Sequence, residues 1–332
     1  MKRIAINGFG RIGRLTLRNL LSQSDVEVVA INDLTTSATS AHLFKYDTAH
    51  GLYPANVSST ESAIQIGDKS ISYTSIRNPE ELPWSDLNVD IVLECTGVFR
   101  TEEQIEMHLT AGAKKVLLSA PAKGGKVPFV VLGVNDEVIN ADLKILSNAS
   151  CTTNCLAPVV KIIDEKWGVS HGFITTTHGY TADQRLQDSP HSDLRRARAA
   201  AQNIIPTSTG AAVAVGVVLP NVEGKLHASA LRVPVITGSL IELTCVINKE
   251  VSVEEINAAF KAASQNELKG ILEYNDDQIV SSDIIGNKHS SIFDAPLTQV
   301  HGNLIKVTSW YDNEAGYSAR MCDLTLIMSK LM

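Results

Sequence analysis

The chain has 332 residues, of which 44% are hydrophobic and 20% charged, a composition typical of a globular protein with room for two domains. Its formal net charge of −7 argues against a nucleic-acid or anionic-membrane partner. The segment Met1–Ile6 begins like a signal peptide, but Asn7 and Gly8 end its apolar run early. No apolar run reaches the ~20 residues of a membrane span, so neither a secretory signal nor a span is expected. The five cysteines are few and widely spread, which favours a reducing, cytoplasmic location.

The first half of the chain alternates apolar strands with helices. Periodicity predicts strands at Arg3–Asn7, Val26–Asn32, Asp90–Glu94, Lys115–Leu118, Phe129–Val134 and Lys144–Ser147. It predicts helices at Arg11–Leu21 and Thr101–Ala111. Because repeated strand-helix-strand units form a parallel sheet with helices on both faces, the first half is predicted to be an α/β domain.

The second half has a different pattern. A helix at Cys151–Trp167 is followed by alternating runs that predict strands at Gly172–Thr177, His227–Pro234, Ser239–Asn248 and Asn303–Tyr311. Further helices are predicted at Val253–Ser264 and Tyr317–Met332. This pattern indicates an antiparallel or mixed sheet with one covered face, and it places a domain boundary near Ser150.

A glycine motif follows the first predicted strand and opens the first helix. Gly8, Gly10 and Gly13 form G-x-G-x-x-G, in which glycines permit a tight turn and close approach of a pyrophosphate. The amides of Arg11 and Ile12 would lie at the positive end of the helix, where a diphosphate binds well. Glycine turns also open unrelated strand-helix units, so the motif alone leaves that alternative open.

Asp33 strengthens the nucleotide interpretation. It closes the second predicted strand, twenty residues after Gly13, where an acidic residue accepts hydrogen bonds from a ribose diol and repels a 2′-phosphate. The position therefore predicts NAD rather than NADP. The alternative is a local turn or helix cap within Asn32–Thr35.

Cys151 is the candidate nucleophile. It follows a predicted strand and the cap candidate Ser150, so it lies in the first helical turn, where the helix N-terminus and an imidazolium lower a thiol pKa. His178 emerges at a strand end and is the candidate base, with a structural histidine as the alternative. Cys155 favours a structural or redox role over metal binding, because no metal-ligand spacing surrounds it. Cys95, Cys245 and Cys322 are interpreted as core residues.

Six segments resemble the phosphorylating glyceraldehyde-3-phosphate dehydrogenases over nearly the whole chain. They are NGFGRIGR at Asn7–Arg14, KYDTAHG at Lys45–Gly51, SNASCTTNC at Ser147–Cys155, DLRRARAAAQNIIPTSTGAA at Asp193–Ala212, LRVP at Leu231–Pro234 and SWYDNEAGYS at Ser309–Ser318. The resemblance implies a Rossmann-type doubly wound parallel sheet at residues 1–150, completed by the C-terminal helix at about 316–332. It implies an α+β catalytic domain at 151–315 and a homotetramer.

The resemblance also implies roles for individual residues. Cys151 is the nucleophile and His178 its base, with no metal. Residues matching NAD contacts are Gly8, Gly10, Arg11, Ile12, Gly13, Asp33, Arg77, Ser119 and Asn313, the last on the nicotinamide amide. Residues matching substrate and phosphate contacts are Ser150, Thr152, Thr181, Arg196, Thr209, Gly210 and Arg232. For the neighbouring Arg195 and Arg198, a solvated face or subunit contact remains the alternative.

The implied reaction oxidises D-glyceraldehyde 3-phosphate with NAD and inorganic phosphate, through a Cys151 thioester, to 1,3-bisphosphoglycerate. Ser189 stands where strictly NAD-specific members often carry Leu, so NADP could also be accepted. Two alternatives stay open: an erythrose-4-phosphate dehydrogenase, and a NAD-binding regulator without turnover.

Overall fold

A computed structural model describes residues 1–332, and the backbone contacts divide them into two units. The first unit comprises Met1–Val130, Glu137–Ala149 and Ser318–Met332. The second comprises Val131–Asp136 and Ser150–Tyr317. The sequence pattern predicts a boundary near Ser150, and the family resemblance implies that the C-terminal helix completes the first domain.

The first unit is an eight-stranded, mostly parallel sheet with helices. Its strands are β1 (Lys2–Asn7), β2 (Val26–Asn32), β3 (Val57–Thr60), β4 (Ala63–Ile66), β5 (Lys69–Thr74), β6 (Ile91–Glu94), β7 (Lys115–Leu118) and β8 (Ile145–Ser147). Its helices are α1 (Arg11–Leu20), α2 (Ser37–Lys45) and α3 (Glu102–Thr110). The strand order is β3-β4-β5-β2-β1-β6-β7-β8, antiparallel only from β3 to β5. The predicted α/β class is confirmed.

The order of these strands creates a switch point between β1 and β6. From β1 the chain winds to β2 on one side, and β6 pairs with β1 on the other. The central strands are apolar and fully buried, with Ile4, Ile6 and Ile91 each 0% exposed. In doubly wound sheets a ligand cleft forms outside the carboxyl ends of the strands at such a point.

The second unit carries a mixed sheet with helices packed on it. Its strands are β9 (Val169–Gly179), β10 (Ile205–Thr207), β11 (Leu226–Val233), β12 (Ser239–Ile247), β13 (Leu272–Asn275), β14 (Ser291–Asp294), β15 (Gln299–His301) and β16 (Leu304–Tyr311). Its helices are α4 (Cys151–Trp167), α5 (Ala211–Val218) and α6 (Val253–Gln265), and α7 (Ala315–Lys330) begins here and continues into the first unit. The sheet order is β10-β11-β9-β12-β16-β14-β13, and β15 pairs with β16.

One predicted strand is wrong. In the segment Phe129–Val134 only Phe129 makes a bridge, to Ser147. The backbone then turns at Gly133, which has a φ of 81°, and the side chain of Asn135 accepts a hydrogen bond from the Val131 amide. The apolar residues are buried in a turn, which hydrophobicity alone cannot distinguish from a short buried strand.

Candidate active site

A cleft of about 290 Å³ lies in the first unit at the switch point of the sheet. Its walls come from the ends of β1, β2 and β6 and from the segment after β5. The lining residues are Asn7, Gly8, Gly10, Asn32, Asp33, Leu34, Ile76, Arg77, Cys95, Thr96, Val98 and Phe99. The structure thus brings together Gly8, Gly10, Asp33 and Arg77 of the predicted NAD contacts. Ser119 follows β7 and does not line this cleft.

Each of the three motif glycines is required for a different structural reason. Gly8 has a φ of 90°, and a Cβ there would lie 2.5 Å from the backbone nitrogen of Thr96. A Cβ on Gly13 would lie 2.3 Å from the Gly8 carbonyl oxygen. By contrast, a Cβ on Gly10 would meet nothing within 4 Å. Gly8 and Gly13 therefore allow the loop to close on the sheet, whereas Gly10 leaves open space for a ligand.

Asp33 shapes the glycine loop as well as lining the cleft. Its Oδ2 accepts a hydrogen bond from the Phe9 amide at 2.7 Å, and its Oδ1 accepts one from the Thr35 amide at 3.1 Å. The local turn that was the alternative interpretation is therefore present. Since a carboxylate accepts about four hydrogen bonds, these two leave acceptor capacity for a ribose diol.

Arg11 and Ile12 begin α1, for which Gly10 is the N-cap. The Arg11 guanidinium donates two hydrogen bonds to Asp47, the longer of 3.1 Å. Although burial opposes it, hydrogen bonds from Arg11 and the His50 amide lower the pKa of Asp47 to about 2. The Arg11 side chain is therefore engaged, and its contribution to an anion is the backbone amide at the helix start.

Part of the cleft wall is formed by residues that were not predicted to line a site. Cys95 was interpreted as a core residue, but it is partly exposed and lines the cleft. Thr96 beside it is fixed by Glu94, whose Oε1 accepts from the Thr96 amide at 2.8 Å. Asn7 donates to Glu94 Oε2 at 2.6 Å. Their position at the end of β6, next to β1 in the sheet, was the available signal.

Cys151 is the first residue of α4 in the second unit. The Ser150 hydroxyl caps the helix by accepting a hydrogen bond from the Thr153 amide at 3.0 Å. The predicted cap is confirmed, and it orients the Cys151 side chain at the helix N-terminus. Because the following residues Thr152–Val160 are buried, the start of the helix is anchored against the mixed sheet.

His178 lies near the end of β9 and is 4% exposed. Its Nε2 is 3.5 Å from the Cys151 sulfur. Its Nδ1 is 2.6 Å from the Gly179 carbonyl oxygen and 2.7 Å from Nη1 of Arg232. Residue 232 pairs with residue 178 in the parallel β9–β11 register, so the sheet itself delivers the guanidinium to the imidazole. The predicted nucleophile and base are in contact.

The charge states differ from the sequence prediction. Burial raises the pKa of the Cys151 thiol, although the positive charge of Arg232 opposes the shift. Burial and then the charge of Arg232 lower the pKa of His178 to about 3. The pKa of Cys151 was expected to be lowered and is instead raised, because desolvation exceeds the opposing effects of the Arg232 charge and of the hydrogen bonds at the helix start. Both groups are neutral at pH 7.

A tyrosine that sequence analysis did not single out supports this pair. The Tyr311 hydroxyl lies 2.9 Å from the Thr152 hydroxyl and 2.9 Å from that of Thr176. Its ring stands edge-on to His178, with centroids 5.9 Å apart. Tyr311 thus joins the helix that carries Cys151 to the strand that carries His178. Two signals in the sequence pointed to it: its place at the end of an alternating strand and its position within the segment SWYDNEAGYS.

The predicted phosphate contacts lie in several segments of the second unit: at the start of α4, after β9, in the loop before β10, between β10 and α5, and, for Arg232, on β11. Arg232 Nε is buried without a hydrogen-bond partner, so one donor remains for a ligand. Arg196 donates to Asp183 and to the Thr207 hydroxyl.

The other predicted phosphate contacts are fixed by local hydrogen bonds. The Thr181 amide donates to the side-chain oxygen of Gln184, and the Thr209 hydroxyl accepts from the Ala211 amide. Gly210 is the N-cap of α5. Arg198 pairs with Asp188 on an exposed face, in agreement with its alternative interpretation.

Asn313 is 5% exposed and has a fixed amide orientation. Its Oδ1 accepts hydrogen bonds from the Gly238 amide at 3.2 Å and the Ser239 hydroxyl at 2.9 Å. No hydrogen bond from its Nδ2 is present, so the two N–H donors of that group are open to a carbonyl acceptor. This donor set fits the carboxamide of a nicotinamide.

The remaining cysteines are free. Cys155 is buried, and its sulfur lies 3.5 Å from the Ser291 hydroxyl. Cys245 and Cys322 are buried as predicted. No group of three or more His, Cys, Asp or Glu side chains is placed to hold a metal ion. None of the helices combines the length and apolar character needed to cross a membrane.

Comparisons with known proteins agree with this geometry. A family model described as "Glyceraldehyde 3-phosphate dehydrogenase, NAD binding domain" matches residues 2–102, and one for the C-terminal domain matches residues 150–313. Similar proteins with that enzyme's name occur in Mycobacterium avium (55% identity, 99% of this chain and 98% of the relative), Bacillus cereus (54%, 99% and 99%) and Streptomyces coelicolor (54%, 98% and 98%). The chain therefore belongs to the glyceraldehyde-3-phosphate dehydrogenase family.

Proposed function

We propose that the chain oxidises D-glyceraldehyde 3-phosphate with NAD and inorganic phosphate to 1,3-bisphosphoglycerate, through a thioester on Cys151. The observation that carries this proposal is the Cys151 sulfur at a helix start, 3.5 Å from Nε2 of His178. A thiol beside a base is the arrangement that covalent catalysis on a carbonyl requires. The relatives' shared name identifies the aldehyde and favours it over erythrose 4-phosphate.

The chain's own residues account for the proton movements. His178 Nε2 takes the thiol proton as the Cys151 sulfur bonds to the aldehyde carbon, and it passes this proton to the former carbonyl oxygen, which becomes the hemithioacetal hydroxyl. When the hemithioacetal carbon is oxidised to the thioester, the same nitrogen takes the hydroxyl proton back. The backbone N–H of Cys151, at the positive helix end, stabilises the developing oxyanion. When bound, NAD supplies the hydride acceptor. The residues proposed to hold it are the glycine loop, Asp33, Arg77, Ser119 and, at the nicotinamide, Asn313.

Arg232 supports the phosphate part of the proposal. Its guanidinium is close to His178 and has a buried Nε donor without a partner, so an anion bound there would satisfy that donor. The other proposed anion contacts are Ser150, Thr152, Thr181, Arg196, Thr209 and Gly210. In the second half-reaction a phosphate oxygen attacks the thioester carbon, the carbon–sulfur bond breaks, and Cys151 is regenerated.

Assembly and location are also proposals. Several large apolar side chains of the second unit are mostly exposed, which supports burial in a homotetramer: Phe173, Leu186, Leu194, Ile204, Val213 and Val217. Five cysteines without a disulfide support a cytoplasmic location. Sedimentation equilibrium tests the assembly, which a monomeric mass would contradict.

One assay tests the proposed reaction. NADH formation is followed with glyceraldehyde 3-phosphate or erythrose 4-phosphate, with and without phosphate, and with NADP in place of NAD. We expect sustained turnover only with the triose substrate, NAD and phosphate together. Equal turnover without phosphate would favour the erythrose alternative, and equal use of NADP would show that Asp33 does not select the cofactor.

A further inference from the structure

Ser239 places a buried hydroxyl between the base strand and Asn313. It is the first residue of β12 and is 2% exposed. The Gly179 amide donates to its Oγ at 3.2 Å, and its Oγ donates to Asn313 Oδ1 at 2.9 Å. Gly179 directly follows His178, so one hydroxyl connects the peptide next to the base with the side chain of Asn313.

The direction of these hydrogen bonds is fixed by chemistry. A hydroxyl has one hydrogen, and the Gly179 amide can only donate, so the Ser239 hydrogen must go to Asn313 Oδ1. The Gly238 amide also donates to that oxygen. The nearby Thr237 hydroxyl is closer to Asp312 (2.9 Å) than to Asn313 (3.4 Å), so it does not replace Ser239. Rotating the amide by 180° would turn its N–H groups toward the Gly238 N–H.

We propose that Ser239 is a positioning residue that holds the Asn313 amide with Nδ2 turned toward the nicotinamide carboxamide. This inference rests on the proposed function, in which Asn313 contacts that group. Ser239 touches neither substrate nor cofactor in this assignment. Its role is to set the orientation of the two N–H donors of Asn313. Through its hydrogen bond with the Gly179 amide, it also fixes the position of these donors relative to the end of β9, which carries His178.

The test compares two ligands that differ in the nicotinamide. ADP-ribose carries the adenosine and diphosphate of NAD but lacks the nicotinamide, so it reports the rest of the cofactor contacts. Calorimetry on the full-length chain gives the affinity of each. We expect Ser239→Ala to weaken the binding of NAD about three- to tenfold, which corresponds to the loss of one hydrogen bond to an amide. The binding of ADP-ribose should be unchanged. Equal losses for both ligands, or no loss for either, overturns the inference.

Three further variants separate the possible failures. Ser291→Ala removes another buried hydroxyl of the same sheet, which bonds Ser309 and not Asn313, and should leave the ratio of the NAD and ADP-ribose affinities unchanged.

Asn313→Ala should change the ratio of the NAD and ADP-ribose affinities at least as much as Ser239→Ala. If it does not, the nicotinamide contact of the proposed function fails; if only Asn313→Ala changes it, the inference on Ser239 alone fails. Ser239→Thr keeps the hydroxyl and should retain the wild-type ratio, whereas a loss equal to that of alanine would contradict the role.

Discussion

Nη1 of Arg232 lies 2.7 Å from Nδ1 of His178, whereas the other ring nitrogen, Nε2, faces the Cys151 sulfur. A guanidinium has no acceptor, so in this contact Nδ1 accepts and Nε2 carries the proton of the neutral ring. For Nε2 to act as a base, Nδ1–H must instead donate to the Gly179 carbonyl, 2.6 Å away. An anion that draws Arg232 away favours that second tautomer.

Replacing Arg232 should change the titration of His178. Burial and the Arg232 charge together lower the pKa of this ring to about 3, so Arg232→Gln should raise it toward the ordinary value of about 6.5. The ring nitrogen shifts of labelled histidine, followed by NMR against pH, measure the change. Arg198→Gln removes the same charge from an exposed pair with Asp188 and is the control. A pKa that moves equally in both variants would contradict the direct contact.

His178 should also affect how stability depends on pH. Its pKa is about 3 in the folded chain and about 6.5 when unfolded, so the unfolded state binds more protons between these values. The free energy of unfolding therefore falls as the pH drops through this window. Relative to His178→Asn, the wild type should lose about 2–3 kcal/mol more between pH 7.5 and pH 4.5.

Urea denaturation at several pH values measures that difference. His171→Asn is the matched control, because His171 lies exposed at the opposite end of β9. Parallel stability curves for the wild type and His178→Asn would show that burial does not hold the His178 ring neutral.

The glycines of the loop should separate folding from binding. Gly8→Ala puts a Cβ 2.5 Å from the Thr96 backbone at a φ of 90°, so it should lower the free energy of unfolding by about 2–4 kcal/mol. The Cβ added by Gly10→Ala meets nothing within 4 Å. This variant should leave the free energy of unfolding nearly unchanged while weakening the binding of NAD about tenfold or more. Denaturation and calorimetry measure the two effects, and similar stability losses in both variants would contradict the assignment.

Asp33 should determine the preference between the two cofactors. Asp33→Asn removes the charge that repels a 2′-phosphate, and it weakens the hydrogen bonds that the carboxylate accepts from the ribose hydroxyls of NAD. The ratio of NAD to NADP affinity should therefore fall about tenfold or more. Asp25→Asn makes the same charge change just before β2, at its opposite end, and is the control. An unchanged ratio in Asp33→Asn would place cofactor selection elsewhere, with Ser189 the next candidate.

Local patterns predicted much of the fold. The strands Val26–Asn32 and Lys115–Leu118 and the helix Cys151–Trp167 have the predicted bounds, because apolar periodicity and a serine cap are local signals. Helix α5 was not predicted, since Ala211–Val218 has no polar face and therefore no helical periodicity. Strands β3 to β5 were not predicted, because polar residues interrupt their short apolar pattern.

The site divides in the same way. Cys151 and His178 were identified from a helix start and a strand end, which are visible along the chain. The contact of Arg232 with His178 depends on the β9–β11 register, and the Ser239 bridge depends on contacts across 60 and 74 residues. Neither leaves a local pattern. Burial also reversed the predicted pKa shift of Cys151, since exposure was unknown from sequence.

The covalent role of Cys151 is tested most directly in a single turnover without phosphate. Wild-type chain is mixed with NAD and glyceraldehyde 3-phosphate, and NADH absorbance and intact protein mass are recorded together. We expect a burst of NADH equal to the number of active sites, with one acyl group added on Cys151. Cys151→Ser should show neither, yet should bind NAD normally. A burst without the added mass, or a serine variant with a tenth of the wild-type activity, would contradict the thioester.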